Sequence, residues 1–215
     1  MKYINILSFD CGNRSLGYTF ARINIDILKD IRALNTLARK AQTDDDKLEV
    51  AAKTYVLIKN FIRVHKSGVY DVTGASLNKS NSLQKTRFLK KVLDDIDAKF
   101  NPEDIVIIEQ QPEKLNSKTI VIQGQLCMFY IDHNPVIMPA TRKNTICFTK
   151  EIHYDVFRMK CRELYVANKQ HSIANFLHFI KNYKLEHMID GIKKANYDDL
   201  ADSFMQMYYY ALHRV

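Results

Sequence analysis

Two runs constrain the fold of this chain more than any others. YINILSFD (residues 3–10) and DIVIIEQ (residues 104–110) are dense in apolar and β-branched residues, the pattern of strands buried on both faces of a central sheet. Each ends on a carboxylate, Asp10 in the first and Glu109 in the second. A charge is costly to bury unless it is paired or binds a metal, so the same ending twice asks for a chemical reason.

Around these runs the pattern is that of one α/β domain. Residues 11–15 read as a tight turn and 16–25 as a second strand, which makes a hairpin with Asp10 at its turn end. Apolar positions at helical spacing predict helices over 27–43 and 47–66, split by the acidic run 44–46, before a short strand near Val69 to Thr73. An amphipathic helix is expected over 81–100, another over 117–131, a strand at PVIMPAT, and a helix with a basic face over 156–183. Asn196 is placed to cap a last helix running from Tyr197 to Leu212.

Composition narrows the class. The 215 residues are 47% hydrophobic with only 6 Gly and 4 Pro, enough for one sizeable core and too short for two full α/β domains. No apolar run approaches the roughly 18 residues needed to span a bilayer, and the N-terminus lacks the form of a signal peptide. The four cysteines are far apart and form no CxxC pair, as expected of reduced thiols. The chain therefore reads as soluble, intracellular and not secreted. Net charge is +8, and residues 138–195 carry eleven Lys and Arg against five Asp and Glu. That surplus suits a polyanionic partner, nucleic acid before membrane, although a solvated surface also accounts for it.

The closing helix begins NYDDLADSF. Asp198 and Asp202, and Asp199 and Asp202, stand four and three apart, so each pair can share a helical face. Acidic residues in a first helical turn complement the macrodipole, which accounts for Asp198 and Asp199 without further function. Asp202, set among Leu200, Ala201, Phe204 and Met205, is harder to explain that way. Asp10, Glu109 and the Asp199/Asp202 pair then form an oxygen-only donor set, which suits Mg²⁺ with Mn²⁺ as a substitute. Four carboxylates can hold two such ions for phosphodiester hydrolysis, an acidic centre inside a basic surface.

Taken together, SFDCGNRSLGY, VIIEQQP and DDLADSF resemble the RuvC-like Holliday junction resolvases of the ribonuclease H superfamily, above all those of poxviruses and other large DNA viruses, then those of fungal mitochondria. IQGQLCMFYI followed by PVIMPAT extends the likeness over most of the chain. The resemblance implies a ribonuclease H-like α/β fold, a mixed five-stranded sheet flanked by helices, spanning residues 1–215 as one nuclease domain. It implies a homodimeric, Mg²⁺-dependent endodeoxyribonuclease that nicks four-way DNA junctions symmetrically, leaving 3′-hydroxyl and 5′-phosphate ends. Asp10, Glu109, Asp199 and Asp202 match the metal-binding acids, with Asp198 an alternative member of the doublet. Lys169 in YVANKQHSI is the best match to the family's lysine near the scissile phosphate, with Lys143 in reserve. A viral resolvase would work at the replication site in the host cytoplasm. Residues 26–66 depart from the family, whose second and third strands join by a short hairpin, and read as a helical insertion.

Three other readings compete. The turn FDCGNRSLG and DVTGAS resemble phosphate loops of actin-like ATPases, but that fold needs two such domains. An RNA/DNA hybrid hydrolase would use the same acids, since phosphate contacts carry affinity and not substrate identity. A non-catalytic DNA-binding module on this fold would be expected to have lost one of the four acids. His133, His153, His171, His178 and His187 show no ligand spacing, and Phe157 and Tyr165 could stack on bases but suit core packing better.

Overall fold

A computed structural model describes residues 2–12, 15–40, 43–72, 82–97, 105–111, 117–139 and 161–214. Its centre is a five-stranded mixed sheet built from β1 (Tyr3–Cys11), β2 (Ser15–Asn24), β3 (Ile62–Asp71), β4 (Ile105–Gln110) and β5 (Val136–Pro139). The strand order is β3-β2-β1-β4-β5. β1, β2 and β3 are antiparallel, whereas β4 runs parallel to β1 and β5 parallel to β4. The two apolar runs that end on carboxylates are thus neighbours in the middle of the sheet.

The pleat divides the core in two. Ile6, Ala21, Ile23, Ile107 and Met138 point to a layer containing α5 (Cys161–Tyr183) and α6 (Tyr197–His213), around Phe176, Phe179, Phe204 and Tyr208. Leu7, Phe9, Leu16, Val106 and Ile108 point to the other layer, with α3 (Ser82–Asp97) and α4 (Ser117–Phe129). Covering both faces is what makes the central strands continuously apolar.

The segment between β2 and β3 does hold two helices, α1 (Leu28–Lys40) and α2 (Asp44–Phe61), and Leu28, Ile31 and Phe61 join the α6 side of the core. The helical expectation nevertheless runs too far. α2 stops at Phe61, and residues 62–66 are strand instead of helix, so β3 is longer than a segment near Val69 to Thr73 and begins earlier. Ile62, Arg63 and Val64 pair with Ile23, Arg22 and Ala21, and this long-range pairing overrides a local apolar spacing that also fits a helix. Asn196 sits at the N-terminal boundary of α6, but its side chain makes no capping hydrogen bond, because a 3₁₀ turn over Lys194–Asn196 leads into the helix. The strand at PVIMPAT is described through Pro139, and residues 98–100 and 156–160 of the expected helices lie outside the described residues.

Candidate metal centre

Strand register decides which face the acids occupy. Phe9 pairs with Ile108, and both point to the α3/α4 layer, so the next residues along, Asp10 and Glu109, lie side by side and turn to the α6 face. On the other side of β1, Asp10 pairs with Gly17 of β2, which faces the same way. α6 crosses that glycine: a Cβ at Gly17 would stand 2.2 Å from the Asp199 carbonyl oxygen and 3.1 Å from its Cβ. Only a residue without a side chain lets the helix come this close, and the approach sets the first turn of α6 over the ends of β1 and β4. The Thr19 and Ser203 hydroxyls hydrogen bond at 2.9 Å, and Gln206 Nε2 donates to the Phe9 carbonyl at 3.3 Å, fixing the helix on the sheet.

All four acids are buried at this end of the sheet: Asp10, Glu109 and Asp202 are each 6% exposed and Asp199 is 8% exposed. Gln111 Nε2 donates to Glu109 Oε2 at 2.9 Å, while the Gln111 amide donates to Gln123 Oε1 of α4 at 2.8 Å. The Ser15 hydroxyl donates to Asp199 Oδ2. Burial pushes the Asp199 carboxyl up to about 6; the Ser15 hydrogen bond opposes that, Asp198 and Asp202 repel its charge, and Lys169 attracts it.

The doublet is divided. Asp198 is half-buried and ion-paired through Oδ2 with Lys169 Nζ of α5, whereas Asp199 turns inward to Ser15. Lys169, which the family resemblance pointed to, therefore lies next to the acidic cluster; Lys143 lies outside the described residues. So do His153, Phe157 and the Tyr165 side chain, with residues 140–160 of the basic segment. Ser15, Gly17 and Gln111 escaped the sequence reading. A glycine inside the strand expected over 16–25 was the available signal for Gly17.

As the side chains stand, no three His, Cys, Asp or Glu groups among the described residues converge closely enough to hold one ion. The donor set still fits a hard cation: Asp10, Glu109, Asp199 and Asp202 offer oxygen only, at one end and on one face of the sheet. The raised Asp199 carboxyl reflects the cost of gathering anionic charge in a dehydrated site, a cost that a divalent ion would offset.

Residues 72–214 match the family model described as poxvirus A22 protein. No curated protein matches the chain. Among solved structures, it resembles fowlpox virus resolvase in complex with substrate Holliday junction DNA, at 18% identity over 97% of each chain with a TM-score of 0.53. It also resembles Thermus thermophilus RuvC alone, at 9% identity over 98% of this chain and 95% of the other with a TM-score of 0.51. With a Holliday junction substrate bound, the T. thermophilus RuvC match has 9% identity, covers 98% and 94% of the two chains, and gives a TM-score of 0.50. These likenesses establish a RuvC-type, ribonuclease H-like fold. Because the family model spans most of the sequence, the chain belongs to the poxvirus A22 protein family.

Proposed function

We propose that this protein is a Holliday junction resolvase, a structure-selective endodeoxyribonuclease that nicks four-way DNA junctions. The observation that carries the reading is the register: Asp10 and Glu109 end adjacent strands on one face, beneath the helical turn that holds Asp199 and Asp202. Membership of a poxvirus family and the RuvC-type fold support it. Residues 1–215 act as one nuclease domain, on which α1 and α2 form a helical insertion between β2 and β3, and the protein works where the virus replicates, in the host cytoplasm.

Asp10, Glu109, Asp199 and Asp202 would hold two Mg²⁺ ions, which supply an activated water and stabilise the leaving oxygen. The protein's own groups prepare that site. Gln111 steadies Glu109 and Ser15 steadies Asp199, so neither carboxylate has to be ordered when substrate arrives. Asp198 serves Lys169, holding its ammonium at the rim where a phosphate would approach.

The enzyme works as a homodimer, since two symmetric nicks need two centres. α4 and the turn after it expose Val121, Met128 and Ile131, apolar side chains with solvent exposures of 57, 72 and 59%, on the layer opposite the acids. Gly124 lies between them with open space around it, so the helix of a second copy can approach closely.

The test is Mg²⁺-dependent cleavage of a four-way junction, a linear duplex and an RNA/DNA hybrid side by side. Selective nicking of the junction is expected, and Asp10→Asn should abolish it while junction binding survives. Preference for the hybrid, or cleavage by the Asn variant, would overturn the reading.

A further inference from the structure

Among the described residues, α4 packs on β4 and β1, while the outer ends of β2 and β3 on that same face carry exposed side chains. Arg22 and Arg63 are directly paired across these strands, and both are exposed. Like charges directly opposite on a sheet destabilise it. A bulge at Phe20/Ala21 adds to the cluster, bringing Lys66 opposite Phe20 and leaving His65 beside it, so both reach the side already holding the arginines. Among the described residues, no carboxylate pairs with Arg22, Arg63 or Lys66. The field is felt by His65, whose pKa is lowered by partial burial and then by Arg22 and Arg63.

Two of these cations, Arg22 and Lys66, are held in place. The Arg22 guanidinium lies 5.7 Å from the Tyr3 ring centroid, and its Nε donates to Asn5 Oδ1 at 3.2 Å. Lys66 Nζ lies 5.9 Å from the Tyr18 ring, which stacks on Tyr70, and the Phe20 and His65 rings are 5.4 Å apart. The rings serve as neighbours of the cations, so the surface presents ordered charge. It also stands apart from the acids. The five residue steps from Gly17 to Arg22 span about 17 Å of β2, and the cluster faces the opposite side of the sheet.

We propose that this sheet face is a second DNA-contact surface, on which Arg22, Arg63 and Lys66 take the phosphate backbone of a duplex arm leading away from the cleavage site. Its paired arginines exist because a polyanion neutralises them. The surface rests on the nuclease reading only for the arm's connection to a junction; its affinity for duplex backbone stands apart from that.

The test is fluorescence anisotropy in chelator, with a long-armed junction, a linear duplex and a single strand, comparing wild type with Arg22→Gln/Arg63→Gln/Lys66→Gln. At about 0.9 counterions released per phosphate, the triple variant should lose about 2 to 3 from the slope of log K against log salt on duplex and junction. Affinity at 0.1 M salt should fall roughly tenfold or more, with the single strand affected less. With Mg²⁺, KM for the junction should rise while kcat stays unchanged. The thermal midpoint should hold or rise, because a like-charge pair is removed. An unchanged salt slope, or a loss confined to the single strand, would overturn the proposal. Failure of the nuclease reading would appear separately, as absent junction cleavage by the wild type beside the same slope change on duplex.

Discussion

Gly17→Ala is the sharpest perturbation of how this site is assembled. The added methyl would stand 2.2 Å from the Asp199 carbonyl oxygen and 2.6 Å from its carbonyl carbon, where ordinary contact begins near 3.4 Å. Both neighbours are backbone, so no side chain can turn aside, and a close-packed interior offers no slack. The first turn of α6 must withdraw from β2 by about 1 Å, the gap between those contacts. Overpacking of this kind costs about 1–3 kcal/mol, which lowers the thermal midpoint of a chain this size by about 2–12 °C. The same withdrawal stretches the Thr19 to Ser203 hydrogen bond from 2.9 Å and carries Asp199 and Asp202 away from Asp10. A misplacement of 1 Å at a reacting centre can cost about 100-fold in rate. Differential scanning fluorimetry and junction nicking at saturating Mg²⁺ read the two effects. A variant with wild-type midpoint and wild-type rate would refute the close approach of α6 to β2. A lowered midpoint with undiminished cleavage would refute the claim that this approach aligns the acids.

Two further outcomes follow from the same geometry. In chelator, Asp199 binds its proton more tightly in the folded state, near 6, than in the unfolded chain, near 3.8, so stability falls as pH rises between these values. Asp199→Asn should therefore stabilise the metal-free protein at pH 7.5 by about 1–3 kcal/mol. The upper figure is two pK units at 1.36 kcal/mol each, and the lower allows for a weaker hydrogen bond from Ser15 to a neutral amide. The gain should vanish near pH 4, and urea denaturation at both pH values checks it; destabilisation at pH 7.5 would contradict the cost assigned to that carboxylate. Met128→Glu places a charge within the exposed apolar stripe of α4 and should convert the proposed dimer to monomer in analytical ultracentrifugation without lowering the monomer's helix content. A variant that remained dimeric would move the interface elsewhere.

Local pattern alone located the two central strands and the acids that end them. Runs such as INILSF and IVII are apolar on both faces only when a sheet is covered twice, so the central strands and their terminal carboxylates follow from local pattern. Asp202 announced itself because the residues around it had to be buried. Whatever depends on one segment meeting another was set by nonlocal packing. The start of β3 at Ile62 comes from pairing with Ile23, against a helical spacing that fits equally well. Asn196 held the right position for a cap, but the route of the chain into α6 gave its side chain no capping bond. Which member of the Asp198/Asp199 doublet turns inward depends on where α5 and β2 lie, since Lys169 takes one and Ser15 the other. Arg22 and Arg63 are about forty residues apart in the chain and become neighbours only through strand register. Periodicity reports how much water a residue will see, whereas register and helix approach are set by nonlocal packing, which no short stretch of sequence encodes.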